Sequence, residues 1–459
     1  MNIAEQYQSP NKLLFHASTL VTVAVLLLAF TSLSYLALAG VLFSLYILNS
    51  LLVGFGEGIP INLLIVFLAC LQWVIGPVLS YYTGINHPFY GMQVPEEEYL
   101  SFAVSGVVLY YIGLSLPIAG VKNIPKEVIN NIGDHINSKM RGAYYLIGIG
   151  FLSSFLSPFA PPALSFFLYL LSQLKFIGCF YLYVSDSQNK VALYVVFAFL
   201  LLEALASALF HDLLLWGMFF LFIYCIKNKV SLTKKVAALV IGFFMVFLLQ
   251  SVKYQYRNIA WTNTSLDAYD QSELFFGMIV DRLFSPDVLF DPKANELTIT
   301  RLNQGWIITR VMNYIPIHKP YAGGETIRGA FDAALLPRFL SENKAIAGGR
   351  ANMERFTGIM LQAGTSMNIS LLGEGYGNFG KDGGVIFMFL IGIVFSLILR
   401  FIILKSLVNP TYLFWIPFLY LQVVKAETDL TTTLNYLVKA TIVMVLVFYT
   451  FRKVLKIEI

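Results

Sequence analysis

Apolar runs of roughly twenty residues recur from one end of the chain to the other, as in LLFHASTLVTVAVLLLAF at 13–30 and VIFMFLIGIVFSLIL at 385–399. Backbone groups inside lipid must be satisfied within their own segment, so such runs predict helices. The ten-residue alternating strands of a membrane barrel are absent from the pattern. About twelve spans are predicted, over roughly 13–31, 33–54, 60–82, 99–120, 143–160, 163–185, 191–210, 213–227, 236–253, 385–406, 411–424 and 434–451. The Pro-rich turn Pro158–Pro162 makes the fifth and sixth a hairpin. The expected fold is an all-α polytopic membrane protein in three parts: a bundle over 1–253, a large loop over 254–384, and C-terminal spans over 385–459.

The polar positions give sidedness. Lys122, Lys126, Lys139 and Arg141 share one connecting loop, Lys227, Lys229, Lys234 and Lys235 another, and Arg452, Lys453 and Lys456 follow the last span. An even span count with both termini in the cytoplasm puts all three groups on that side, as the positive-inside bias requires. The 254–384 segment then lies on the outer face. The N-terminal MNIAEQYQSPNK lacks the basic region of a signal peptide. The chain has 459 residues, 58% hydrophobic and 12% charged, and its net +5 reflects loop lysines, which gives no argument for nucleic acid. Cys70, Cys179 and Cys225 each sit in an apolar run, against a disulfide framework or zinc site.

The large loop changes the picture. Of 11 arginines, eight lie there: Arg257, Arg282, Arg301, Arg310, Arg328, Arg338, Arg350 and Arg355. Arginine offers a planar, always-charged fork that grips phosphate in two places. From 258 to 296 seven acids face only Arg282 and Lys293; from 297 to 357 the net charge is +4. A basic segment beside the membrane suits an anionic, lipid-linked substrate. The competing reading is a set of surface ion pairs, and Arg350 and Glu354 are spaced i,i+4 for one.

Other ionisable residues are weighed the same way. Lys175 interrupts an apolar run and is expected to pair with Glu203 or to meet a lipid phosphate. His211 and Asp212 read as a solvated outer turn, with a place facing the site as the alternative, and His318, in IPIHKPY, as a loop histidine or a general base. Glu374, Glu427 and Asp429 are candidate bases for a sugar hydroxyl. No ligand spacing indicates a metal.

One stretch, GEGYGNFGKDGG (373–384), contains both G-x-G-x-x-G and G-x-x-x-x-G-K. The residue after Lys381 is Asp382, where a P-loop needs Ser or Thr for Mg²⁺. A membrane helix follows, and the outer face lacks cytosolic nucleotides. Both matches therefore read as accidental, in a loop re-entering the membrane, and no cofactor is expected.

The same stretch carries a family resemblance. Asn303–Gln304–Gly305 leading to Arg310, YAGGETIRGAFDAALLPRFLSENKAI, and SMNISLLGEGYGNFGKDGG resemble the bacterial O-antigen polymerases of the Wzy type. The matching positions are Tyr321, Gly324, Thr326, Pro337, Arg338, Lys344, Ser366, Asn368, Glu374, Tyr376, Asn378, Phe379, Gly380 and Gly383. FLSEN after Pro337–Arg338 departs from the family's usual tryptophan-like stretch. The resemblance covers about a hundred residues.

The resemblance implies a GT-C-like glycosyltransferase of the bacterial inner membrane. It would polymerise undecaprenyl-pyrophosphate-linked oligosaccharide repeats on the periplasmic face, without cofactor or metal. The expected partners are that lipid-linked donor and the bilayer, with a chain-length regulator and a flippase as candidate proteins. Arg301, Arg310, Arg338, Arg350, Arg355 and Lys344 become the expected pyrophosphate ligands, with Arg338 and Arg310 acting in catalysis beside Glu374 as base. Tyr321, Asn368, Tyr376 and Asn378 become candidate glycan contacts. A ligase using the same donor, or a flippase for it, are the alternatives.

Overall fold

The computed structural model describes residues 10–459 apart from 85–86, 88, 122–127, 130, 188–189, 208–209, 263–267, 286–295, 297–298, 337–344 and 363–364. The described residues contain helices and no strand. In order these are α1 (Pro10–Phe30), α2 (Tyr35–Gly54), α3 (Ile61–Cys70), a π-helical turn (Leu71–Ile75), α4 (Gly76–Tyr82), α5 (Glu96–Ser115), α6 (Ile132–Asn137), α7 (Met140–Leu156), α8 (Pro162–Ser172), α9 (Leu174–Val184) and α10 (Val191–Ser207). There follow α11 (His211–Asn228), α12 (Leu232–Thr262), α13 (Ala268–Phe284), α14 (Gly305–Tyr314), α15 (Glu325–Leu335), α16 (Arg350–Thr357), α17 (Ser370–Ser406), α18 (Ile416–Tyr420) and α19 (Leu430–Tyr449).

Among the described residues, eight segments are long and apolar enough to cross a membrane: Tyr35–Gly54, Ile61–Tyr82, Glu96–Ser115, Met140–Phe159, Leu164–Val184, Leu232–Lys253, Ser370–Ser406 and Leu430–Leu455. Of the other predicted spans, 13–31 and 191–210 appear as the shorter apolar helices Leu14–Phe30 and Val191–Ala206, and 213–227 lies inside α11. The 411–424 segment is broken into a 3-10 turn (Pro410–Trp415) and the five-residue α18. Pro410 and Pro417 lack backbone donors, so one regular helix is disfavoured there. Leu413 to Ile416 and Phe418 to Leu421 are all buried, and irregular backbone at membrane depth survives only where protein encloses it. The proline-rich turn joins α7 to α8 through a 3-10 turn at Ser157–Phe159, as its sequence predicts.

Lysines gather at one end of the bundle. Lys235 donates to the Phe55 carbonyl, Lys227 to those of Tyr183 and Ser185 at 2.7 and 3.1 Å, and Lys190 to that of Leu182 at 2.6 Å. Lys139 donates to Asn409 Oδ1 at 3.2 Å, with His135 Nε2 3.0 Å from the same oxygen. Most of these contacts satisfy carbonyls left open at helix C-termini. Lys122 and Lys126 lie outside the described residues.

The opposite end is built by two inserted helices. α17 reverses at Gly380, whose φ of 71° and ψ of −163° suit only glycine. Its first arm, Ser370–Phe379, folds back along the second: a Cβ on Gly384 would lie 3.0 Å from the Gly375 carbonyl carbon. Gly106 of α5 meets Leu372 of one arm and Met388 of the other. The glycines that mimic nucleotide motifs, Gly375, Gly377 and Gly380, thus sit in the first arm and the turn of a helical hairpin, and most of 370–384 is helix where the sequence predicted loop. Deeper along the second arm, Gly113 of α5 faces the Phe389 carbonyl and Gly392 faces that of Tyr110, a close small-residue crossing.

The second insertion is α14. Gln304 N–H donates to the Gln72 carbonyl at 3.0 Å inside the π-helical turn, and the Asn303 backbone lies against Gly76, where a side chain would not fit. The Asn303–Gln304–Gly305 stretch is therefore an anchor: Asn303 is fully buried, and its Nδ2 donates to Ser80 Oγ at 2.8 Å.

Candidate functional site

Glu374 lies in the first arm of α17, completely buried. Its Oε1 accepts from the Thr326 hydroxyl of α15 at 2.8 Å, and its Oε2 accepts from Leu430 N–H, the first turn of α19, also at 2.8 Å. Asn378, one turn on, donates through Nδ2 to Thr326 Oγ1 and to the Glu374 carbonyl, both at 2.8 Å. Its Oδ1 accepts from Gly324 N–H at 3.1 Å. Backbone pairs from Ala322 to Gly377 and from Gly323 to Asn378, each 3.0 Å, close the junction. Segments some fifty residues apart in sequence are locked together through the side chains they share.

Asp429 caps α19. Its Oδ1 accepts from Thr432 N–H at 2.9 Å and its Oδ2 from Asn352 of α16 at 3.0 Å. Asp429 is 1% exposed. The N-terminus of α19 thus receives Asp429 as cap and Glu374 on the next amide, where the helix dipole favours negative charge. Beside this junction Tyr321 and Tyr376 pair edge-on with centroids 6.2 Å apart. Tyr321 and Phe379 stay 40% and 42% exposed, so an open aromatic rim lies beside the buried acids. Asn368 packs tightly against Gly349, whose φ of 74° requires glycine.

Basic residues occupy the other side of the loop that precedes α19. Lys425 donates to Asp212 Oδ1 at 2.9 Å. Glu427 lies near His211 and Lys253, and Lys253 also lies within electrostatic reach of Arg257 and Arg301. Burial and the Arg301 charge push the Arg257 guanidinium below its ordinary value. Burial, then Lys425, push the His211 imidazole down. The 425–429 loop therefore joins two groups, through Lys425 at Asp212 and Asp429 at the N-terminus of α19.

The predicted arginines divide. Arg301 belongs to the cationic cluster. Arg310 donates to the Phe89 carbonyl at 2.7 Å and lies over the Phe89 and Trp306 rings, with centroids 4.9 and 5.7 Å away. Arg350 pairs with Glu354 at 3.0 Å, as its spacing predicts, and Arg355 with Glu325 at 2.7 Å. Arg338 and Lys344 lie outside the described residues. His318 is exposed and packs on Tyr314, centroids 4.8 Å apart.

Lys175 pairs with Glu203 at 3.5 Å and with Ser154 Oγ at 2.9 Å. The His211–Asp212 turn corrects the expectation of a merely solvated corner, since Asp212 holds Lys425. Sequence reasoning left out Lys253 and counted Arg257 among the loop arginines without singling it out. Two cations spaced i,i+4 directly after an apolar span were the available signal.

Fold and site define a membrane protein whose described residues are helical, with a buried acidic junction beside the 425–429 loop. The chain belongs to the family described as Domain of unknown function (DUF8712), whose model matches residues 103–402. No curated protein and no solved structure matches it.

Proposed function

We propose that the protein is a membrane glycosyltransferase that polymerises lipid-linked, pyrophosphate-activated oligosaccharide repeats, in the manner of the Wzy-type polymerases it resembles. The observation that carries this reading is the meeting of the resemblance's two separated motifs. Gly324 and Thr326 from one, and Glu374 and Asn378 from the other, form a single hydrogen-bonded junction. That junction adjoins a cationic cluster through one short loop. On this reading the chain has about twelve spans in a GT-C-like arrangement. It sits in the bacterial inner membrane with both termini cytoplasmic and the site on the periplasmic face.

The chemistry follows from charge. The donor's leaving group is a lipid pyrophosphate, so the glycosidic bond is already activated. Negative charge builds on that group as the bond breaks, and preorganised cations stabilise it. A carboxylate takes the acceptor hydroxyl's proton. Glu374 and Asp429 are sealed by their hydrogen bonds and act as positioning residues for the 425–429 loop. Glu427, half-buried in the same loop and near enough to His211 and Lys253 to act on their charge, is the better-placed base.

The test is the surface-polysaccharide ladder of a deletion strain complemented with wild type, Glu427→Gln or Asn378→Ala. Polymerase function predicts single repeat units in the deletion, a restored ladder with wild type, and single units with Glu427→Gln at equal expression. Loss of even the single-unit band on deletion would overturn the polymerase in favour of a flippase or ligase.

A further inference from the structure

α13 presents three faces. Phe275 and Arg282 are buried against the bundle, Asp270, Glu273 and Asp281 line a second face, and Phe276, Val280, Leu283 and Phe284 form the third. Spacings of four, seven and eight residues put those last four on one stripe. They are 49%, 49%, 42% and 82% exposed. A contiguous apolar stripe left open in this way marks an interaction surface.

Contacts on the inner face fix the helix's depth. The Phe275 ring centroid lies 5.0 Å from that of Phe210, just before α11, and 5.2 Å from that of Tyr256 in α12. One turn and more further along, the Arg282 guanidinium donates to the Ser251 carbonyl at 3.5 Å. The later residue of α13 thus meets the earlier residue of α12, so the two helices run antiparallel. The apolar span of α12 closes at Lys253. The C-terminal half of α13, with Val280, Leu283 and Phe284, is therefore level with the last turn of a membrane span. α12 is also the least enclosed of the eight apolar segments, with 11% of its window buried, so the pair stands at the lipid-facing surface of the bundle.

Charge narrows the occupant. The acids of the second face hold α13 at the water boundary and repel anionic headgroups, while its one arginine is turned inward. Phe, Val and Leu side chains at that depth complement hydrocarbon.

We propose that α13 is an interfacial membrane anchor, with Phe276, Val280, Leu283 and Phe284 buried among the phospholipid acyl chains of the leaflet at the site's end of the bundle. The anchor fixes the height of the large segment over the bilayer, whichever chemistry the site performs.

The experiment is a nitroxide scan of the full-length protein in phosphatidylcholine nanodiscs. Phe276→Cys, Val280→Cys, Leu283→Cys and Phe284→Cys are labelled one at a time, with Glu273→Cys and Asp281→Cys as controls. Wild type treated with the same label sets the background from the buried Cys70, Cys179 and Cys225. Power saturation compares oxygen, which concentrates among acyl chains, with a water-soluble nickel chelate. The four stripe labels are expected to meet oxygen severalfold more than the chelate, and the two controls the reverse. Alternation between stripe and controls with helical period shows that the segment is folded. Equal chelate access at stripe and controls, or a profile without that period, overturns the anchor. Shielding of the stripe from both reagents overturns it too, and spin–spin broadening would then identify a second copy of the chain as the cover. A stripe that meets oxygen only when phosphatidylglycerol is present overturns the acyl-chain assignment in favour of headgroup charge.

Discussion

The two ends of the bundle use positive charge in opposite ways. At one end, Lys190, Lys227 and Lys235 each donate to backbone carbonyls, so their charge is absorbed in ending helices. At the other, Lys425, Arg350 and Arg355 pair with the carboxylates of Asp212, Glu354 and Glu325. The first arrangement lowers the energy of the fold by itself. The second joins side chains of different elements, as Lys425 ties the loop before α19 to α11. A cation's role is set by what it faces, and composition alone does not distinguish the two ends.

The comparison can be broken at the acid cluster, where the largest effect is expected. Glu374→Ala removes the acceptor for the buried Thr326 hydroxyl and Leu430 amide. The expected loss is on the order of 3 kcal/mol in denaturant unfolding in detergent micelles, because both donors lose their partner in a dry site. Glu374→Gln should cost less, since Thr326 can turn to accept. Equal losses for the two would show that the side chain's volume, and not its hydrogen bonding, supports the junction.

At the lysine end, Lys235→Met strands the Phe55 carbonyl, and about 1–2 kcal/mol of stability should be lost in the same unfolding measurement. An unchanged midpoint would show that this lysine does not support the helix end it meets.

The smallest effect concerns Glu325 on the outer rim. Its hydrogen bond from Arg355 holds the carboxyl below the usual carboxylate range. A depressed folded value means that the pair's contribution is present above the unfolded carboxylate pKa of about 4.3 and is lost as pH falls through the folded value. Melting curves of wild type and Glu325→Gln should differ slightly at neutral pH and converge in acid; a gap that widens in acid would reverse the assignment.

Much of the scaffold was legible before any coordinates. Twenty-residue apolar runs must become helices because lipid offers no partner for their backbone groups. The proline-rich turn between α7 and α8, the Lys175–Glu203 pair and the Arg350–Glu354 pair were readable because each depends on local spacing or on the cost of a lone buried charge. The 411–424 segment was not. Its apolarity matches a lipid-facing span equally well, and only its enclosure by other helices allows a broken backbone.

The site was legible only in part. Glu374, Asn378 and Asp429 stood out individually, and the sequence by itself determined their residue types, their neighbours and the arginine-rich character of the segment around them. The tertiary structure decided what each one meets. Glu374 reaches residues 48 and 56 positions away, and Lys425 reaches Asp212, 213 positions away. Those distances depend on the reversal at Gly380, the anchoring of Asn303 and the crossing of α5 with α17. Each of these is a packing outcome among many helices of similar apolarity, so no local pattern in the chain specifies it.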